Sequence, residues 1–325
     1  MTFNPHRRHW VLGGLLCLAS LSPVHAADEP PLKVIIPASA GSGQDTIIRA
    51  VSPSISKALG GRSVVVENLP GAGGVTGAAA LTRAAPDGNT IGMISNNHVV
   101  NPSVYAKMPF DAIKDFTPIG LVGSTPFVLV VNPAKVPAKN AKELQAFLKA
   151  KPKAYNYASS GNGTIIHLAG AMVVDALDAD VVHVPYKGMG NMVTDLIGGQ
   201  VELGVIAVPV AQQHIKAGTL RAIGITSKMR VPTLPDVPTM AEQGFPQVDI
   251  AGWFAFIGPA KMAPDVTAKL HDAILKAFAL PEAKEAMAKQ DNLLHPLSPA
   301  ETGVFMRTEV ERFGQLVKKA NVKVE

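Results

Sequence analysis

The chain has 325 residues, with 30 Lys+Arg against 25 Asp+Glu, and 47% of its side chains are apolar. That length suits one large domain or two ordinary ones with a real core, and low charge with high apolar content excludes a disordered chain. Its 29 Gly and 26 Pro are scattered without a period, which excludes a collagen-like or low-complexity chain, and no apolar run is long enough to suggest a spanning helix.

The first 26 residues read as an export signal. His6-Arg7-Arg8 makes a positive start, residues 11–19 an apolar run of signal length, and Val24-His25-Ala26 a small-residue cleavage site. Cleavage there removes Arg7 and Arg8, lowering the net charge from +5 to +3, and also Cys17, the one cysteine. The exported chain is expected to carry neither a disulfide nor a thiol nucleophile. The adjacent arginines leave the export route open between the general secretory and twin-arginine systems.

Short β-branched runs then recur at residues 32–36, 63–66 and 90–94, separated by helical stretches from about Gln44 and about Val75. This βαβαβ order predicts a parallel sheet with right-handed crossovers. Pro53, inside the first helical stretch, is expected to kink or shorten it. Apolar strands follow at residues 119–122 and 127–131. The alternation then starts again, with strands expected at 155–158, 181–184, 202–206 and 221–226. Helices are expected near 141–150, from about Thr164, and near 189–197 and 210–217. A Pro-rich connection (Pro232, Pro235, Pro238) leads to a strand at 253–257 and to helices opening near Pro264, Pro281 and Pro299. Two such sets predict two α/β domains: residues 27–126 with 227–325, and residues 127–226.

Three Gly-rich turns follow strands and open helices. They are Ala38-Ser39-Ala40-Gly41-Ser42-Gly43-Gln44-Asp45, Pro70-Gly71-Ala72-Gly73-Gly74-Val75-Thr76-Gly77 and Ser159-Ser160-Gly161-Asn162-Gly163-Thr164. Each exposes backbone N–H groups at a helix N-terminus, where the macrodipole favours an anion. Ser and Thr add hydroxyls that donate to a carboxylate or phosphate oxygen. One such turn is equally well a plain helix cap; two in the first domain facing one in the second favour a cleft between domains.

Rival chemistries lack their residues. A dinucleotide-binding unit wants an acid about twenty residues beyond its glycines, and Ser95-Asn96-Asn97 stands there instead. There is no Walker lysine and no Gly-x-Ser-x-Gly elbow. The histidines at 98, 167, 183, 214, 271 and 295 lack metal spacing. No catalytic residue, metal or cofactor is predicted, and five per cent aromatics give no nucleic-acid stripe. His167, one turn beyond Thr164, suits a supporting role. Asp45 is either an ordinary first-turn acid or a group that selects among ligands.

Further motifs accompany these turns: Glu67-Asn68-Leu69-Pro70-Gly71-Ala72-Gly73-Gly74, Ala85-Pro86-Asp87-Gly88, Asn101-Pro102-Ser103-Val104-Tyr105, His183-Val184-Pro185-Tyr186-Lys187-Gly188 and Leu234-Pro235-Asp236-Val237-Pro238-Thr239. In this order the chain resembles, from Lys33 nearly to its C-terminus, the extracytoplasmic solute-binding proteins of tripartite tricarboxylate transporters, the Bug family. The resemblance implies an α/β, two-domain periplasmic-binding-protein fold (Venus-flytrap, type II-like) with the ligand cleft between domains. It implies capture of a small organic carboxylate or amino acid for the membrane components of such a transporter. Binding would proceed by hinge closure, without catalysis or cofactor, in a chain expected to be a monomer. By position it puts Ser39, Ser42, Gly43 and Asp45 on one cleft wall and Ser159, Asn162, Thr164 and His167 on the other. The loops at Asn96 and at Ala207-Val208 would flank them. The first loop departs from the family's usual aromatic, prolines and two glycines, so ligand identity does not carry over. Two alternatives stay open: a periplasmic enzyme using Asp45 or His167 as base on a small organic acid, and a sensor presenting ligand to a signalling partner.

Overall fold

The computed structural model describes residues 1–2, 29–319 and 322, so the export-signal reading of residues 1–26 lies almost wholly outside the described residues. The first half runs β1 (Leu32–Ile36), α1 (Gly43–Ala58), β2 (Val64–Asn68), α2 (Val75–Thr82), β3 (Thr90–Ser95), α3 (Asn97–Val104) and β4 (Phe116–Thr125). The second set runs β5 (Phe127–Val131), α4 (Ala141–Lys149), β6 (Asn156–Ser159), α5 (Ile165–Ala176), β7 (Val182–Pro185), α6 (Met189–Gly198), β8 (Leu203–Ala207), α7 (Val208–Lys216) and β9 (Arg221–Ile225). The chain ends with β10 (Gly252–Pro259), α8 (Pro264–Ala279), α9 (Pro281–Lys289), β11 (Leu293–Leu297) and α10 (Pro299–Lys319).

These strands form two sheets, ordered β11-β4-β10-β3-β1-β2 and β7-β6-β8-β5-β9. β1 shows why they are nearly continuous apolar runs. Leu32, Val34 and Ile36 pack with α1, α8 and α9 on one face, and Ile35 packs with α2, α3 and α10 on the other. Both faces are covered, so alternation with polar residues is absent, and each such side chain contributes roughly 1.5–3 kcal/mol by burial.

The expected parallel sheet is only partly realised. β1, β2 and β3 are parallel, as are β6, β7 and β8, whereas β10 runs antiparallel to β3 and β4, and β5 antiparallel to β8 and β9. The reason is the connectivity. β4 passes into β5 with only Pro126 between them, so one extended segment serves both sheets, and β10 brings the chain back. The return also lies later than expected. Ile225 N donates to Pro238 O (3.0 Å), Met240 N to Ile225 O (2.8 Å) and Ile250 N to Thr226 O (2.9 Å), which keeps residues 227–250 on the second sheet. The crossing is at 250–252.

Pro53 does not shorten α1, which continues to Ala58. The ring faces solvent, while Ile47, Ile48, Val51 and Ile55 are buried against the first sheet and its helices. That burial outweighs one missing hydrogen bond. α3, with Pro102 inside it, and β11, with Pro296, were not expected from the sequence.

Candidate functional site

Within the first sheet, α1 leaves the end of β1 toward one face, and α3 leaves the end of the neighbouring β3 toward the other. That divergence opens a crevice beyond the strands' carboxyl ends, where open α/β sheets bind ligands. A pocket lies there, lined by Pro37, Ala38, Gln44, Gly73, Gly74, Ile94, Ser95, Asn97 and His98.

The first loop is tied into shape by its own residues. Ser42 caps α1, its Oγ accepting from Asp45 N at 3.3 Å. Asp45 is buried; its Oδ2 accepts from Gly41 N and its Oδ1 from Arg49 Nε, both at 2.9 Å. Burial opposes ionisation of Asp45, but the Gly41 N–H, the Asn68 amide and Arg49 outweigh it and hold the carboxyl below its ordinary range. Asp45 therefore shapes the loop, and its charge is already paired. Gly41 supplies the left-handed backbone (φ 78°) the turn requires. Gly77, in the second Gly-rich turn, lets α2 approach: a Cβ there would stand 2.8 Å from Leu69 O and from Pro37 Cα. What remains at the end of α1 is a pair of helix N–H groups, Gly43 and Gln44, without a chain partner among the described residues. The Gln44 side chain is anchored on Met93 O (2.8 Å), and Ser39 is exposed at the rim.

The second wall repeats this construction. Thr164 caps α5: its Oγ1 accepts from His167 N (3.2 Å) and donates to Gly161 O (2.8 Å). Gly163 N donates to His167 Nδ1 at 3.2 Å, which leaves the imidazole proton on Nε2. Ser159 is fully buried; its hydroxyl accepts from Gly161 N (3.2 Å) and lies 2.7 Å from His183 Nε2. His167 stacks on His183 with centroids 3.7 Å apart, and Tyr157 stacks on His183 at 4.9 Å. Burial, and then the neighbouring His183, push His167 down to about 4; burial alone takes His183 to about 4. The wall is thus uncharged near neutrality. Asn162 is exposed at the loop tip.

The remaining expected site residues lie at the crossings. Asn96 is buried, with Nδ2 donating to Ala251 O (3.1 Å) and Oδ1 accepting from Trp253 N (2.9 Å), so its amide pins the return segment. Val208 is buried, and its N donates to Pro126 O (3.0 Å). Ala207, half-buried beside it, pairs with Phe127. The residue that does face the second wall is Asn97: its Oδ1 accepts from Ile165 N, the first N–H of α5, at 3.3 Å. Sequence reasoning passed over Asn97, Gln44 and His183; nothing separates Asn97 from Asn96 until the strand end is placed.

The profile of the tripartite tricarboxylate transporter family receptors matches residues 47–322. The chain belongs to this family. The receptor is 32% identical over 320 residues to protein BugT of Bordetella pertussis, covering 97% of this chain and 98% of that one. Among solved structures it is similar to the periplasmic binding protein BugD, with 32% identity, a TM-score of 0.80, and coverage of 91% and 99% of the two chains. It is also similar to MatC of Rhodopseudomonas palustris with bound malate, with 25% identity, a TM-score of 0.77, and coverage of 91% and 100%. These neighbours share the two-domain periplasmic-binding-protein fold expected from the sequence.

Proposed function

We propose that this receptor resides in the periplasm and captures a small carboxylate between the first turns of α1 and α5, for delivery to the membrane components of a tripartite transporter. In this reading the two sheets with their helices are the two domains, Ser42, Gly43 and Gln44 meet the ligand from one side, and Thr164 and Ile165 bring up the other as the hinge closes. The ligand-bound unit is a monomer. One observation carries the reading: two Ser/Thr-capped helices, each with its third N–H taken by the cap, and linked through Asn97 of the first-domain pocket, whose Oδ1 accepts from the first N–H of α5. Hydrogen bonds to a charged group contribute roughly 1.5–3 kcal/mol each, so three or four such donors hold a carboxylate without an arginine. No Lys or Arg is among the residues lining the first-domain pocket. Bound malate in MatC fits the same chemistry.

What the two candidate bases do supports binding without catalysis. Asp45 already accepts from Gly41 and Arg49, and His167 Nδ1 already accepts from Gly163; both side chains are engaged in holding their own loops. The test is native mass spectrometry of the mature protein followed by thermal shifts against mono-, di- and tricarboxylates, acidic amino acids and aromatic acids. A ligand at about 100 times its Kd adds roughly 2.7 kcal/mol. Stabilisation by one class, with the ligand recovered unchanged, is expected. Silence across the panel, or a chemically altered ligand, would overturn the proposal.

A further inference from the structure

Of the side chains lining the first-domain pocket, Asn97 also holds a hydrogen bond across the cleft, to the second domain. Its Oδ1 lies 3.3 Å from Ile165 N, so an amide carbonyl sits at the helix end where a carboxylate oxygen is expected. The pocket beneath it measures about 40 Å³, against the roughly 300–1,000 Å³ of a ligand site. A dicarboxylate exceeds that pocket, which first-domain residues alone line, so it must reach into the space that the Asn97–Ile165 bond spans. We infer that Asn97 is a built-in competitor: its amide occupies the α5 donor, holds the cleft partly shut, and must be displaced by the incoming anion. The inference rests on the carboxylate-receptor reading and adds to it a residue that sets affinity and selectivity.

The energetic order favours exchange. At 3.3 Å the amide bond is longer than the usual N–H···O distance, and a neutral acceptor is about half as strong as a charged one. A carboxylate therefore wins the N–H, whereas a neutral ligand does not, so Asn97 discriminates by charge. Every receptor with Asn97 on Ile165 is closed to ligand, and the apparent affinity is reduced by the fraction so occupied.

The experiment uses the mature chain with Ala50→Cys on α1 and Thr194→Cys on α6, both exposed, spin-labelled for interdomain distance measurement. Asn97→Ala, and Asn97→Leu as a second variant of similar size, are compared with Asn97→Asp after unfolding curves establish that each folds. Before any acid is added, the Ala and Leu variants are expected to shift the distances longer, and the Asp variant shorter. In calorimetry with malate, the Ala or Leu variant should bind about two- to tenfold tighter, the worth of one neutral hydrogen bond. Asn97→Asp, which places a fixed carboxylate at the same N–H, should bind at least about tenfold weaker. Unchanged distances in the Ala and Leu variants, or weaker malate binding by both, would overturn the inference; the second result would make Asn97 an ordinary ligand contact. If the wild-type protein ignores malate and the wider acid panel, the carboxylate reading fails, and the distances alone decide whether Asn97 shuts the cleft.

Discussion

Thr164 shows how a side chain can serve a ligand it need not touch. Its hydroxyl caps His167 N and ties Gly161 O, so it aims the α5 N-terminus. Thr164→Ala is expected to lower stability by about 0.5–2 kcal/mol, the cost of a lost N-cap, and to weaken carboxylate binding, while Thr164→Ser restores both; urea unfolding and calorimetry check this. The histidines give a pH signature. Burial, only partly offset by the bond to Ala112 O, takes His98 to about 4, alongside His167 and His183. Because these pKa values lie below the ordinary 6.5, the unfolded chain takes up protons first as pH falls. Stability is full above about 6.5 and declines toward about 4, with no further loss from these groups below that. An unfolding midpoint flat from pH 7 to 4.5 would contradict the buried neutral assignment. At this scale the helix starts were legible, since the Gly-rich turns that hold Ser42 and Thr164 stand where the helical patterns begin. Asp45 as a clamp was not, because its role depends on the turn at Gly41, and the different bonds of Asn96 and Asn97 follow only once the end of β3 is placed.

Elements were legible wherever periodicity and β-branching agreed, and the two missed, α3 and β11, are ones that Pro interrupts. α3 and β11 each contain a proline, and both exist because neighbours supply the burial: α3 packs on α10, and β11 pairs with β4. α1 makes the same point. Pro53 is exposed in the helix interior, where proline costs about 3 kcal/mol relative to alanine. About 1 kcal/mol of that returns through the less flexible unfolded chain. Pro53→Ala should therefore raise stability by about 1–2 kcal/mol and leave carboxylate affinity unchanged, as read by denaturant titration and calorimetry. The opposite result is expected at Gly77. A methyl there meets backbone at Pro37, the residue just before the first Gly-rich loop. Gly77→Ala should cost about 1–3 kcal/mol by overpacking and weaken binding as well, since α2 can yield only by moving that loop. A variant that lost stability but kept full affinity would uncouple the second Gly-rich turn from the first.

For the whole molecule, the alternation of strands and helices announced two α/β units, but the path between them depends on backbone pairing that no local pattern carries. The return segment is fixed by α10 as much as by the sheets. Trp253 Nε1 donates to Glu309 Oε2 (3.1 Å), Arg312 Nη1 to Glu309 Oε1 (3.0 Å), and Arg312 Nη2 to Asp249 O. Glu309 is buried, and Arg312 is the cation that compensates it. Asn96 grips the same segment from the end of β3. The crossing is thus held on both sides, which suits a hinge that bends at few residues while its flanks stay rigid. Arg312→Ala removes two bonds and leaves a buried carboxylate without its partner. Since Arg312 is itself partly exposed, the loss should be about 1–3 kcal/mol, below that of a fully buried pair. Glu309→Gln keeps an acceptor for Trp253 and removes the charge that needs compensation, so in its presence Arg312→Ala should cost less than in the wild type. A double-mutant cycle in urea measures that coupling directly. Strict additivity would mean that Arg312 acts through Asp249 alone, and that the carboxylate of Glu309 has no part in holding the crossing.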